Sequence, residues 1–179
     1  MKPHLEIEYK TLLTQAEYHN LDTHFSFDQI VEQTNIYYDD TRKTLFNLGI
    51  MCRIRIIEDS YEFTLKVPQD EGVLEYEVSI ASLSLQTPEI ETILKEFKLI
   101  PDDLVEVGKS HTVRKIYRDQ FGEWCLDDNT FSHHQDYELE YELYGPADGA
   151  YEHYLKEMKQ LSIEYKQAQP KYIRALESK

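Results

Sequence analysis

The chain has 179 residues, 34 of them acidic against 19 basic, and a formal net charge of −15. That length suits a single domain over 1–179 with room for a sizeable core, and that charge argues against general binding of nucleic acid or of an anionic membrane while favouring cations. There is no apolar run of the roughly 18 residues a membrane span needs and no signal-peptide apolar core. Cys52 and Cys125 lie far apart without metal-ligand spacing, so a reduced, cytoplasmic setting is expected.

In chain order, His4 to Lys10 alternates, with Glu6, Glu8 and Lys10 on one side and Leu5, Ile7 and Tyr9 on the other. That is the pattern of a strand with one polar and one apolar face. Thr14-Gln15-Ala16-Glu17 reads as a capping box opening a short helix with Tyr18 and Leu21 on its apolar side. Asn35 to Asp39 reads as a second strand, and Leu45 to Gly49 as a turn of helix or loop. The third strand, Met51 to Glu58, sets Arg53 and Arg55 opposite Ile54 and Ile56. The fourth, Tyr61 to Val67, sets Thr64 and Lys66 opposite Phe63 and Leu65. The fifth, Val73 to Ile80, sets Glu75 and Glu77 opposite Leu74, Tyr76 and Val78. The period then changes: Thr87-Pro88 caps a helix whose Ile90, Ile93, Leu94 and Phe97 form a stripe, and Pro101 ends it. A sixth strand over Thr112 to Asp119 carries Arg114 and Arg118 on one face. Glu123 to Asp128 is the seventh, and Asp136 to Tyr144 the eighth, with Glu138, Glu140 and Glu142 on one face. Helices are predicted over 147–161 and 171–176, the last with Lys171 and Arg174 on one side.

Eight strands joined mostly by short turns predict an α+β fold built on an antiparallel β-barrel. If the apolar faces pointed inward, the amphipathic helices would have nothing to cover. The inverted arrangement is therefore expected: helices pack on the apolar outside, and the charges line a tunnel. A charged lumen must be wet or filled by ligands that neutralise it. Its acids, among them Glu6, Glu8, Glu75, Glu77, Asp127, Glu138 and Glu140, are hard oxygen ligands suited to Mg²⁺ or Mn²⁺. Its bases, Lys10, Arg53, Arg55, Lys66 and Arg114, suit phosphate oxygens. Both in one cavity imply a metal-bound polyphosphate. Glu142 and Arg118, near strand ends, are expected in solvent, as is the pair His133-His134 in a turn.

These residues resemble a family. Glu6-x-Glu8-x-Lys10 is similar to the defining motif of the CYTH superfamily, the triphosphate tunnel metalloenzymes. Asn35 to Asp40 resembles its second-strand Tyr-Phe-Asp-Thr element, with Asp40 in place of the usual Thr. Arg53-Ile54-Arg55, Thr64-Leu65-Lys66, the pair Glu75 and Glu77, and Arg114-Lys115-x-Tyr117 resemble later strands. So do Leu126-Asp127 and Glu138-Leu139-Glu140, and Lys171-x-x-Arg174 resembles the C-terminal basic helix. The opening motif alone is weak; the ordered set over nearly the whole chain is specific, and it is nearest to the short stand-alone bacterial YjbK-like members. The resemblance implies an eight-stranded tunnel that hydrolyses a triphosphate. Lys10, Arg53, Arg55, Lys66, Arg114 and Lys171 would be catalytic with Glu6 and Glu8. Glu75, Glu77 and Arg174 would assist binding, and one or two Mg²⁺ or Mn²⁺ ions would sit on Glu6, Glu8, Asp127, Glu138 and Glu140. Cyclisation of ATP, hydrolysis of thiamine triphosphate and binding without turnover are the alternatives. No aromatic or amide set is assignable to a base pocket from the sequence.

Overall fold

The computed structural model describes residues 2–178; Met1 and Lys179, the two ends of the expected domain, lie outside the described residues. The first predicted strand is broken at Ile7 into β1 (His4–Glu6) and β2 (Glu8–Leu13). It is followed by α1 (Gln15–His24), β3 (Gln29–Asp39), α2 (Thr44–Asn47), β4 (Met51–Ile57), β5 (Ser60–Pro68) and β6 (Val73–Ile80). The second half holds α3 (Pro88–Lys95), β7 (Val105–Arg118), β8 (Gly122–Thr130), β9 (Gln135–Leu143), α4 (Ala150–Gln160) and α5 (Lys171–Glu177).

The strands form one antiparallel sheet in the order β1-β6-β5-β4-β3-β7-β8-β9-β2. Its two edges are β1 and β2, which are consecutive in the chain, so the sheet returns on itself as a nearly closed barrel. Nine strands replace the expected eight because the first changes partner midway: β1 pairs with β6, and β2 pairs with β9. At the break the Ile7 carbonyl accepts from the Leu143 amide at 2.9 Å, which keeps the seam hydrogen-bonded.

The apolar faces point outward, as predicted, and are covered by helices. Trp124, Leu126, Leu139 and Tyr141 pack with Leu21 of α1 and with Tyr154 and Met158 of α4. Ile54, Phe63 and Leu65 pack with Ile90, Ile93 and Leu94 of α3. Each such fully buried side chain stabilises by roughly 1.5–3 kcal/mol. The capping box is formed: the Glu17 amide donates to Thr14 Oγ1 at 3.2 Å, and the Thr14 amide donates to Glu17 Oε1 at 2.8 Å. α3 starts as its sequence requires, with the Ile90 amide donating to Thr87 Oγ1 and Pro88 in the first turn.

β7 begins seven residues before the predicted Thr112 and pairs with a β3 that is likewise longer than predicted. The added stretch of β7 contains Gly108, which does not read as a strand residue. It faces α5, which lies across one end of the barrel: a Cβ there would meet Ala175 at 3.4 Å, an ordinary contact.

Candidate active site

A cavity of about 490 Å³ occupies the barrel. Lys10, Arg53, Arg55, Lys66, Arg114 and Lys171 line it, together with Glu6, Glu8, Glu75, Glu77 and Glu140. Asp127 and Glu138 sit behind this wall, fully buried. Arg174 lies beside them, its guanidinium on Asp136 and Glu138 at 2.7 Å. Glu77 is exposed, and Glu75 is buried against Lys66 Nζ at 3.2 Å.

The acids fall into two groups that differ in what neutralises them. Asp127, Glu138 and Glu140 bring oxygens within 4.8 Å of one another, and cations fill the space between and around them. Arg114 donates to both oxygens of Asp127, Nε at 2.8 Å and Nη2 at 2.7 Å, and also to Glu140 at 2.9 Å. Lys171 Nζ donates to Asp127 at 2.9 Å and lies 3.2 Å from Glu138, while Lys10 Nζ lies 3.2 Å from Glu140. Burial alone would raise the carboxyls of Asp127 and Glu140. Arg114 and Lys171 more than offset it at Asp127, and Lys10 and Arg114 hold Glu140 well below the usual carboxylate range.

Glu6, Glu8 and Glu142 form the second group, again with oxygens within 4.8 Å. Here Lys66 Nζ donates to Glu6 at 2.7 and 3.0 Å, and Lys10 reaches Glu8 only at 3.5 Å. Burial wins: it raises Glu6 and Glu8, and with the charge of Glu6 it pushes Glu142 up to about 8. The expectation that Glu142 sits in solvent is thus corrected. Closure of the barrel sets the end of β9 against β2, with Glu8 directly opposite Glu142. Arg118 is exposed and paired with Glu123, and His133 and His134 are exposed, as expected.

On β4 the positions are reversed. Arg53 is buried, its Nε has no hydrogen-bond partner, and neither Arg53 nor Arg55 has a carboxylate within salt-bridge distance among the described residues. Arg55 Nε donates only to the Asn35 amide oxygen at 3.0 Å, and burial with the charges of Arg53 and Arg114 lowers its pKa to about 10. Unneutralised cations and unneutralised carboxylates therefore share one cavity. Sequence reasoning missed several members of the lining, Gln33 and Tyr37 of β3, Glu62 and Glu123, and it set Glu142 on the right face but in solvent. The signal available was the period of two through Gln33, Asn35 and Tyr37, which mixed residue types obscure.

The two acid groups give opposite pH signatures. Glu142 titrates higher folded than its ordinary 4.5, so the folded state keeps a proton that the unfolded chain has released. The stability it contributes is complete below about pH 4.5 and is lost as pH rises through about 8. Asp127 and Glu140 act oppositely, at pH values below their ordinary ones. Without divalent cations, the melting temperature should fall between pH 5 and 8, and Glu142→Gln should flatten that fall. A wild-type melting temperature that rises across this window would contradict the unneutralised cluster.

A model of the CYTH domain matches residues 4–173. A Bacillus subtilis (strain 168) protein named "Putative triphosphatase YjbK" is 28% identical, the match covering 100% of this chain and 98% of the relative. The crystal structure of a Bacillus halodurans protein, described as a putative adenylate cyclase, superposes with a TM-score of 0.86 at 25% identity, over 97% of this chain and 98% of that one. HpAC1 from Hippeastrum, named as an adenylyl cyclase and described as having a dominant triphosphatase activity, gives a TM-score of 0.78 at 21% identity, over 99% and 96% of the two chains. At that identity the likeness to HpAC1 concerns the fold alone.

Proposed function

The chain belongs to the CYTH domain family, and on that premise we propose that it is a metal-dependent triphosphatase acting on inorganic triphosphate or a small organic triphosphate. The observation that carries this reading is the pairing in one cavity of Arg53 and Arg55, which lack carboxylate partners among the described residues, with Glu6, Glu8 and Glu142, which lack sufficient cations there. A polyphosphate answers the first deficit and a divalent cation the second.

Three carboxylates with converging oxygens fit Mg²⁺ or Mn²⁺, both of which take oxygen ligands. When bound, such an ion supplies charge neutralisation at phosphate oxygens and acidifies nearby water. A second ion on Asp127, Glu138 and Glu140 would compete with Arg114 and Lys171 for the same oxygens. The phosphates are held by Lys10, Arg53, Arg55, Lys66, Arg114 and Lys171, with Glu75 keeping Lys66 placed, Glu77 at the rim of the same lining, and Arg174 holding α5 against Glu138. Hydrolysis forms a bond from a water oxygen to the terminal phosphorus and breaks the bridging P–O bond. The water's proton passes to a lumen carboxylate. Negative charge grows on the leaving phosphate, where the guanidinium groups stabilise it by position and charge.

The test is a panel of inorganic triphosphate, ATP and thiamine triphosphate with Mg²⁺ or Mn²⁺, scored for phosphate, pyrophosphate and cyclic AMP. Phosphate release is expected. Cyclic AMP as the main product from ATP would replace the hydrolase by a cyclase, and tight binding with no turnover of any compound would leave a binding module.

A further inference from the structure

Arg55 is held by a group that carries no charge. Its Nε donates to Asn35 Oδ1 at 3.0 Å, and Asn35 stands directly opposite it on β3. Glu62 stands opposite it on β5, yet no carboxylate of the described residues comes within ion-pair distance of the Arg55 guanidinium.

Asn35 is fully buried, so both ends of its amide need partners. A guanidinium only donates, so the amide oxygen must face Arg55. That turns Nδ2 toward two hydroxyls, Tyr37 at 3.4 Å and Ser110 at 3.5 Å, which lie 3.1 Å from each other. Both are buried, and Ser110 stands opposite Asn35 on β7. The adjacent strands β3 and β7 thus form a neutral bracket behind an arginine of β4 that lines the cavity.

A carboxylate at position 35 would fit the same bracket. Each hydroxyl can turn and donate, so both carboxylate oxygens would find partners. What would change is the charge. Arg114 shows the other arrangement, gripped by Asp127 and Glu140. A cation paired in that way attracts a further anion weakly, whereas one held by an amide keeps its field.

We propose that Asn35 is a positioning residue: backed by Tyr37 and Ser110, it fixes the direction of Arg55 without neutralising it, so that the guanidinium meets a phosphate with its charge undiminished. This rests on the triphosphatase reading and adds to it a residue that acts through Arg55.

Calorimetry with inorganic triphosphate in EDTA reads the effect without turnover. Asn35→Asp keeps the hydrogen bond to Arg55 and adds a counter-ion. The dissociation constant should rise about ten- to a hundredfold, the size of one hydrogen bond to a charged group. The melting temperature should stay equal to that of the wild type or rise. A residue that merely props up the wall would not lose affinity while keeping stability. Asn35→Ala serves if Asn35→Asp does not fold. It should weaken binding severalfold in the wild-type background and hardly at all in the Arg55→Gln background, because the two residues act as one unit. Affinity within twofold of wild type in Asn35→Asp, a melting temperature lowered by several degrees in that variant, or an equal loss from Asn35→Ala with and without Arg55 would each overturn the proposal. Hydrolysis by the wild type alongside any of these leaves the triphosphatase reading standing. Affinities that move as expected without hydrolysis would overturn that reading alone.

Discussion

Glu8→Gln is expected to lower turnover on the order of 1000-fold, the several kcal/mol of transition-state stabilisation that a catalytic cation supplies. The substitution keeps size and shape and removes one anionic oxygen ligand from the group Glu6, Glu8 and Glu142. Its second signature separates a metal ligand from a structural ion pair. Burial already raises Glu8, and Glu140 and Glu6 repel its charge. Neutralising it should therefore leave the melting temperature unchanged or raise it near pH 8 in metal-free buffer. Lys10, its nearest cation, keeps Glu140. Steady-state rates, circular dichroism and a melting curve give the answer together. Retained activity with added Mg²⁺, or a melting temperature lowered by several degrees, would remove Glu8 from the metal site.

Asp127→Ala should produce the largest loss of stability, about 3–5 kcal/mol, because it leaves Arg114 and Lys171 buried without their shared partner. For a chain of this length, each kcal/mol moves the melting temperature by about 2–4 °C, so a drop of roughly 6–20 °C is expected. Asp127→Asn should cost less, since one oxygen still accepts. Thermal and urea unfolding should agree. A loss under about 1 kcal/mol would mean that water reaches and solvates the two cations.

Much of this was legible in the sequence because charge is sorted with a period of two. Arg53 and Arg55 on β4, Lys66 on β5 and Glu140 on β9 line the lumen, with Thr64 and Glu138 fully buried at the alternate positions of their strands, and the apolar residues between them meet the helices. The break at Ile7 was not legible. The alternation runs through it undisturbed, and what changes there is the partner strand, a matter of how the sheet closes. Glu142 was misplaced for the same cause: a strand end is solvated in an open sheet and covered in a closed one. Nor could the sequence tell which carboxylates keep their charge unanswered. That depends on which bases lie across the lumen, as Arg114 does from Asp127 and Glu140.

The seam at Ile7 joins segments separated by most of the chain: Glu8–Leu13 pairs with Tyr137–Glu142. Bringing such distant pieces together costs closure entropy before any contact repays it, so this pairing is expected to form late in folding and to part early in unfolding. Glu6, Glu8 and Glu142 straddle it, one on each of β1, β2 and β9. A cation held there would act as a clasp on the seam. Because the clasp exists only after the late contacts have formed, it would slow opening and leave the folding rate nearly unchanged. The lifetime of the closed barrel, and with it resistance to proteolysis, would then follow the supply of divalent ions in the surroundings.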